Sequence, residues 1–95
     1  MILNVAWQVK IHKRALKACV SFPQKETRRL FAVIKSLASD PFAGDVKKME
    51  HEEQVWRRRV GSYRVMYELI PADRIVYVFR VERRTTTTYG KKSNR

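Results

Sequence analysis

The sequence predicts an α+β protein in which an antiparallel β-sheet of about four strands, in the order β-α-α-β-β-β, packs against two N-terminal helices. Three observations carry this reading. Apolar residues alternate with polar ones from Trp7 to Ile11, the period-two signal of a strand with one buried face. They recur at spacings of three and four from Glu26 to Ser39, the signal of an amphipathic helix. A β-favouring run rich in valine, tyrosine and tryptophan then extends from Val55 to Ile70, broken only by Gly61-Ser62.

Each element follows from these patterns. Trp7, Val9 and Ile11 make the buried side of the first strand. Ala15, Leu16, Cys19 and Val20 fall at helical spacing until Pro23, which lacks the amide needed to continue a helix, so a short first helix ends there. Leu30, Val33, Ile34 and Leu37 form the stripe of the second helix, closed by Asp40-Pro41. From Phe42 to Gln54 there is no period, and the segment reads as a loop. The Gly61-Ser62 hairpin follows, and Pro71-Ala72-Asp73-Arg74 turns the chain into Ile75 to Val81, an almost wholly apolar stretch that reads as a central strand. No internal repeat is present. The 95 residues suffice for a single domain spanning 1–95, in which 84–95 form a basic C-terminal tail.

Composition narrows the function. Lysine and arginine number 21 against 9 acidic residues, a formal net charge of +12, and so large an imbalance on so small a body attracts polyanions, with nucleic acid the expected partner. A membrane partner is not expected, because no apolar run approaches the roughly 18 residues that span a bilayer. The segment Met1 to Trp7 has neither a basic leader nor a small-residue cleavage site, so export is not expected. Cys19, the only cysteine, can form neither an internal disulfide nor a cysteine-rich metal cage; it reads as a buried small hydrophobe, and a cytoplasmic location follows.

The hairpin holds the chemistry. A two-residue turn at Gly61-Ser62 pairs Val60 with Tyr63, Arg59 with Arg64, Arg58 with Val65, Arg57 with Met66 and Trp56 with Tyr67. One face then carries Trp56, Val60, Tyr63, Val65, Tyr67 and Leu69 for the helices to cover, with Arg58 the one misfit. The other face gathers Arg57, Arg59 and Arg64. Arginines directly opposite one another repel, so something other than stability selects them. Guanidinium presents planar, forked donors matched to phosphate oxygens, and three on an open face suit a nucleic-acid backbone. Lys47, Lys48 and Arg58 extend the candidate RNA-binding set, with no metal ligands among them.

The run Trp56-Arg57-Arg58-Arg59-Val60-Gly61-Ser62-Tyr63-Arg64-Val65-Met66-Tyr67 resembles the hairpin signature of the RelE/ParE toxins. Leu37-Ala38-Ser39-Asp40-Pro41, Val46-Lys47-Lys48-Met49 and Val78-Phe79-Arg80-Val81-Glu82-Arg83-Arg84 follow the same family order, so the resemblance runs from about Trp7 to Tyr89. It implies a RelE-like fold and a toxin of a type II toxin–antitoxin system. In RelE-like members this is a ribosome-dependent mRNA endoribonuclease needing no metal or cofactor; ParE-like members instead inhibit DNA gyrase. A cognate antitoxin is implied either way, with an acidic or amphipathic segment expected over the basic face.

Carried over by position, Arg57 and Arg59 match the paired basic residues of the RelE hairpin, and Arg64 matches its phosphate-stabilising arginine. Arg83 or Arg84 matches the arginine after the last strand, and Tyr89 matches a C-terminal tyrosine that stacks on an exposed base. Arginine is a poor general base, which turns attention to His51, Glu52 and Glu53 in the loop before the hairpin. Three functions stand against one another: mRNA cleavage, gyrase inhibition, and nucleic-acid binding without catalysis.

Overall fold

The alternation of Trp7 to Ile11 is realised as strand β1 (Gln8–Ile11), and the chain leaves it into helix α1 (Lys13–Ser21) at His12. The turn is made by side-chain chemistry: His12 Nδ1 accepts the Arg14 amide at 3.0 Å, satisfying one of the amides a helix start leaves free. This computed structural model describes residues 6–84. Helix α2 (Gln24–Ser36) begins directly after Pro23. Thr27 Oγ1 donates back to the Cys19 carbonyl at 2.6 Å, which ties the end of one helix to the start of the next.

Strands β2 (Val46–Lys48), β3 (Val55–Val60) and β4 (Tyr63–Ile70) follow, then a single 3-10 turn (Pro71–Asp73) and β5 (Ile75–Arg83). Together they build a five-stranded sheet in the order β1-β5-β4-β3-β2. β2 to β5 form an antiparallel meander, whereas β1 runs parallel to β5, with Val9 beside Val76 and Ile11 beside Val78. Parallel neighbours need a long crossover, and both helices and the meander lie between these two strands in sequence.

Both helices cover one face of the sheet. Ala15 and Cys19 from α1, with Leu30, Ile34 and Leu37 from α2 and its end, meet Val60, Tyr63, Val65, Tyr67, Leu69, Val76, Val78 and Val81 from the strands. Each such side chain removed from water contributes about 1.5–3 kcal/mol, so this layer is the dominant stabilising term. Cys19 is fully buried as expected, and burial pushes its thiol pKa up.

The structure departs from the sequence reading in four places. The sheet has a fifth strand: β2 lies inside the segment read as loop, invisible because three residues, two of them lysine, carry no period and edge strands are commonly short and charged. The sheet is mixed rather than wholly antiparallel, through the β1–β5 pair. Helix α2 stops at Ser36 instead of Ser39, as the amides of Leu37, Ala38 and Ser39 fold into tighter bonds to carbonyls three residues back. Finally, Leu16 and Val20 are 42% and 60% exposed, because on a helix they lie one residue, about 100°, round from the buried pair Ala15 and Cys19.

Two polar contacts on the covered face fasten the loop after α2 to the sheet. The buried Tyr67 hydroxyl donates to the Pro41 carbonyl. Burial pushes the Tyr67 pKa up to about 12, with Arg58 pulling the other way and Asp40 adding to the rise. Arg58, the misfit of the sequence reading, donates from Nη1 to the Ala43 carbonyl at 2.9 Å and from Nε to the Arg59 carbonyl at 3.3 Å. Gly44 makes room for it: the backbone there has φ +86, and a Cβ would fall 1.7 Å from Arg58 Nη1.

Replacing Tyr67 with Phe strands the Pro41 acceptor and is expected to cost about 1–3 kcal/mol in denaturant unfolding. Since the folded state holds Tyr67 neutral up to about pH 12, its contribution is full below the ordinary tyrosine range near pH 10 and is lost as pH rises between the two. Unfolding curves collected across that window are expected to show a steeper alkaline loss for the unaltered chain than for Tyr67→Phe.

Candidate nucleic-acid interface

The turn between β3 and β4 sets the site. Gly61 has φ +59 while Ser62 stays out of the left-handed region, the pattern of a type II′ turn with glycine at its first central position. Such a turn leaves no register freedom. Val60 faces Tyr63, Arg59 faces Arg64, Arg58 faces Val65, Arg57 faces Met66 and Trp56 faces Tyr67, the pairing expected from the sequence.

Because side chains alternate across a strand, burial of Tyr63, Val65, Tyr67 and Leu69 under the helices sends Arg64, Met66 and Glu68 to the opposite face. The same parity on β3 sends Arg57 and Arg59 there. The three arginines therefore share the face that neither helix covers.

Register extends this set across the sheet. Lys47 on β2 pairs with Arg57, Arg57 with Met66, and Met66 with Arg80 on β5, so one row carries three cations from edge to interior. The next row toward the turn runs Arg59, Arg64, Glu82. With strands about 4.8 Å apart, each row spans a few nucleotides of extended single strand at most.

Few protein groups compete for these cations. Arg64 Nε lies 3.5 Å from Glu82 Oε2, and Arg80 Nη1 lies 4.0 Å from Glu82 Oε1, both contacts partly exposed. Arg57 Nη1 is shielded from water and has no hydrogen-bond partner among the described residues, and Arg64 Nε, equally shielded, has only the long ion-pair contact with Glu82. A buried donor without an acceptor is costly, which leaves Arg57 in particular ready for a phosphate oxygen.

The remaining candidates are distributed unevenly. Lys48 is exposed with the opposite parity to Lys47, and Arg58 serves the fold as described above. Arg83 lies on the helix side, its guanidinium carbon 6.0 Å from the centre of the Tyr63 ring, in a cleft shared with Lys25, Glu26 and Arg29 of α2. Arg84 returns to open-face parity, and its amide donates to the Ser62 carbonyl. Tyr89 lies outside the described residues.

His51, Glu52 and Glu53 form the exposed bend between β2 and β3, lining a shallow hollow with Lys48, Met49 and Glu50. The His51 side chain is 92% exposed, and its Nε2 lies 4.0 Å from Glu50. Neither His51 nor Glu52 nor Glu53 joins the hollow that Lys47, Glu50 and Arg57 share. Sequence reasoning missed Arg80 and Glu82, whose alternation with the core residue Val81 was the available signal. Among the described residues, no group of three or more His, Cys, Asp or Glu could hold a metal ion, and no helix is long and apolar enough to cross a membrane.

A mixed sheet padded on one side by a helical pair and bearing a cluster of arginines on the other defines a small protein with one uncovered cationic face. Comparison with known proteins gives the class a family. Residues 9–87 match the family described as ParE toxin of type II toxin–antitoxin system, parDE, and the chain belongs to it. A protein named toxin RelE1 from Methanocaldococcus jannaschii is 31% identical over 81 residues, covering 82% of this chain and 90% of the relative.

Among solved structures, the archaeal RelE–RelB complex from Pyrococcus horikoshii superposes with a TM-score of 0.76 at 30% identity, covering 85% of this chain and 98% of that one. The isolated Escherichia coli RelE toxin gives 0.75 at 18% identity, covering 87% and 89%, a likeness of fold. The RelE-like fold and the toxin family expected from the hairpin motif are thus established.

Open-face and helix-side arginines are expected to separate in a salt titration of single-stranded RNA binding. Arg57→Ala is expected to flatten the slope of log affinity against log salt by about 0.7, the loss of one phosphate contact, while stability stays within about 0.5 kcal/mol. Arg58→Ala is expected to leave the slope unchanged and lower the unfolding midpoint, as it frees the Ala43–Gly44 loop.

Proposed function

We propose that this toxin cleaves mRNA on the ribosome and that a cognate antitoxin silences it by covering the arginine face. The observation that carries the reading is the open-face cluster of Arg57, Arg59 and Arg64, in which Arg57 Nη1 has no hydrogen-bond partner among the described residues and Arg64 Nε has only its long ion-pair contact with Glu82. Cleavage of RNA by its own 2′-hydroxyl requires positive charge on the five-coordinate phosphate as it forms. Three guanidinium groups held by paired strands supply that charge without rearranging at the moment of reaction. Similarity to proteins named RelE supports the choice of RNA, and the RelE–RelB complex of Pyrococcus horikoshii supports the antitoxin. Acting on ribosomes, the protein works in the cytoplasm.

An acidic or amphipathic antitoxin segment would neutralise the face by charge complementarity, competing with RNA for the same donors. A second reading, inhibition of DNA gyrase, is favoured by one observation: the family description matched by residues 9–87 is that of ParE. Fold and charge serve both readings equally, since function resides in the site and not in the architecture.

Mapping mRNA 5′ ends on translating ribosomes tests the proposal. The unaltered chain is expected to give sharp, codon-placed cuts, and Arg64→Ala to reduce them about 10²-fold or more, the usual cost of removing one charge-stabilising donor. Intact mRNA together with blocked DNA supercoiling would establish the second reading instead.

A further inference from the structure

RNA cleavage needs a group to take the proton of the attacking 2′-hydroxyl, and the arginines cannot supply it, because guanidinium does not deprotonate in proteins. The bend residues His51, Glu52 and Glu53 stand away from the arginine row. From the geometry of the open face we infer that Glu82 is the proton acceptor. This inference rests on the ribonuclease reading above.

Glu82 is the partner of Arg64 across the β4–β5 pair, and its two carboxylate oxygens divide between Arg64 Nε at 3.5 Å and Arg80 Nη1 at 4.0 Å. The carboxylate is thereby held at a fixed place beside the arginine that lies at the centre of the face. β1 ends opposite Val78, so among the described residues no strand flanks Glu82 on its outer side, which leaves room for a ribose. Glu68, another carboxylate with open-face parity, pairs with Val55 and Tyr77 and has no arginine beside it in register. Glu50 borders Arg57, but its side chain is 83% exposed and turned to His51. Among the described residues the charged groups facing Glu82 are Arg64 on β4, Arg80 on its own strand and Arg84 just beyond it, with Arg59 one strand further.

A phosphate gripped by the terminal nitrogens of Arg64 brings the ribose joined through its 3′-oxygen next to this carboxylate. Glu82 takes the 2′-hydroxyl proton as the O2′–P bond forms. The P–O5′ bond breaks with its electron pair on O5′, and water protonates that oxygen. The products are a 2′,3′-cyclic phosphate and a 5′-hydroxyl, and Glu82 returns its proton to solvent.

The experiment compares single-turnover cleavage of ribosome-bound mRNA by the full chain, Glu82→Gln, Glu82→Asp and Glu68→Gln across pH. Glutamine keeps the size and the contact with Arg64 but cannot take a proton. Glu82→Gln is expected to lose about 10²-fold or more in rate, within the range that positioned acid–base groups contribute. Its rate should lose the pH dependence that the unaltered chain shows, and its binding to an mRNA carrying a 2′-deoxyribose at the cut site should be unchanged. Glu82→Asp should recover part of the rate and the pH dependence, and Glu68→Gln should match the unaltered chain. Full-rate cutting by Glu82→Gln overturns the role of Glu82 alone. Absence of cutting by the unaltered chain overturns the ribonuclease reading and this role with it.

Discussion

Reversal of the chain over two residues at Gly61-Ser62 is the constraint from which the rest follows. It fixes which residue of β3 faces which residue of β4, and in a strand pair that also fixes which side of the sheet each side chain meets. A slip of one residue by β4 would exchange its faces, placing Arg64 under the helices and Tyr63, Val65 and Tyr67 in water, and the same slip by β3 would bury Arg57 and Arg59. Burying charge without partners is prohibitive and exposing that aromatic surface forfeits the core, so the register is held from both sides. The repulsion of Arg59 and Arg64 across the strands, a fraction of a kcal/mol to about 1 kcal/mol, is small beside this.

Three consecutive arginines consequently do two different jobs. Arg57 and Arg59 stand on the open face beside Lys47 and Arg64. Arg58, one residue from each, turns under the sheet edge and donates to the Ala43 carbonyl, with the hydrogen of Gly44 where any other side chain would collide with it. The same loop is held a second time by Tyr67 through Pro41. The covered face thus carries polar groups as well as apolar ones, but each of these two acts as a clasp with its acceptor in place, and the cations without such a clasp are those of opposite parity.

How far this could be read beforehand depended on the kind of signal. The hairpin register, the two faces and the isolation of Arg58 from its neighbours follow from one turn and a period of two, and all were present in Val55 to Ile70. Helical periodicity located both helices but not their rotation: Leu16 and Val20 share the spacing of Ala15 and Cys19 and differ only in which way the helix is turned, which packing decides. β2 carries no pattern of its own and exists because β3 offers an edge to pair with. The parallel docking of β1 is a tertiary choice with no local trace. Alternation with Val81 gave the face of Glu82 but not its neighbour, as its position beside Arg64 depends on the β4–β5 register and on the irregularity between Met66 and Tyr67, where the count of residues along the two strands differs.

The sheet therefore acts as a plane that sorts side chains, apolar and clasping groups to one side, unclasped cations to the other. The most direct measurement of that sorting is an NMR titration of the arginine Nε–Hε signals of the full chain with a short single-stranded RNA. Signals of Arg57, Arg59 and Arg64 are predicted to shift together at one affinity while those of Arg29 and Arg58 stay in place. Shifts confined to the helix-side arginines, or spread evenly over all of them, would contradict the account.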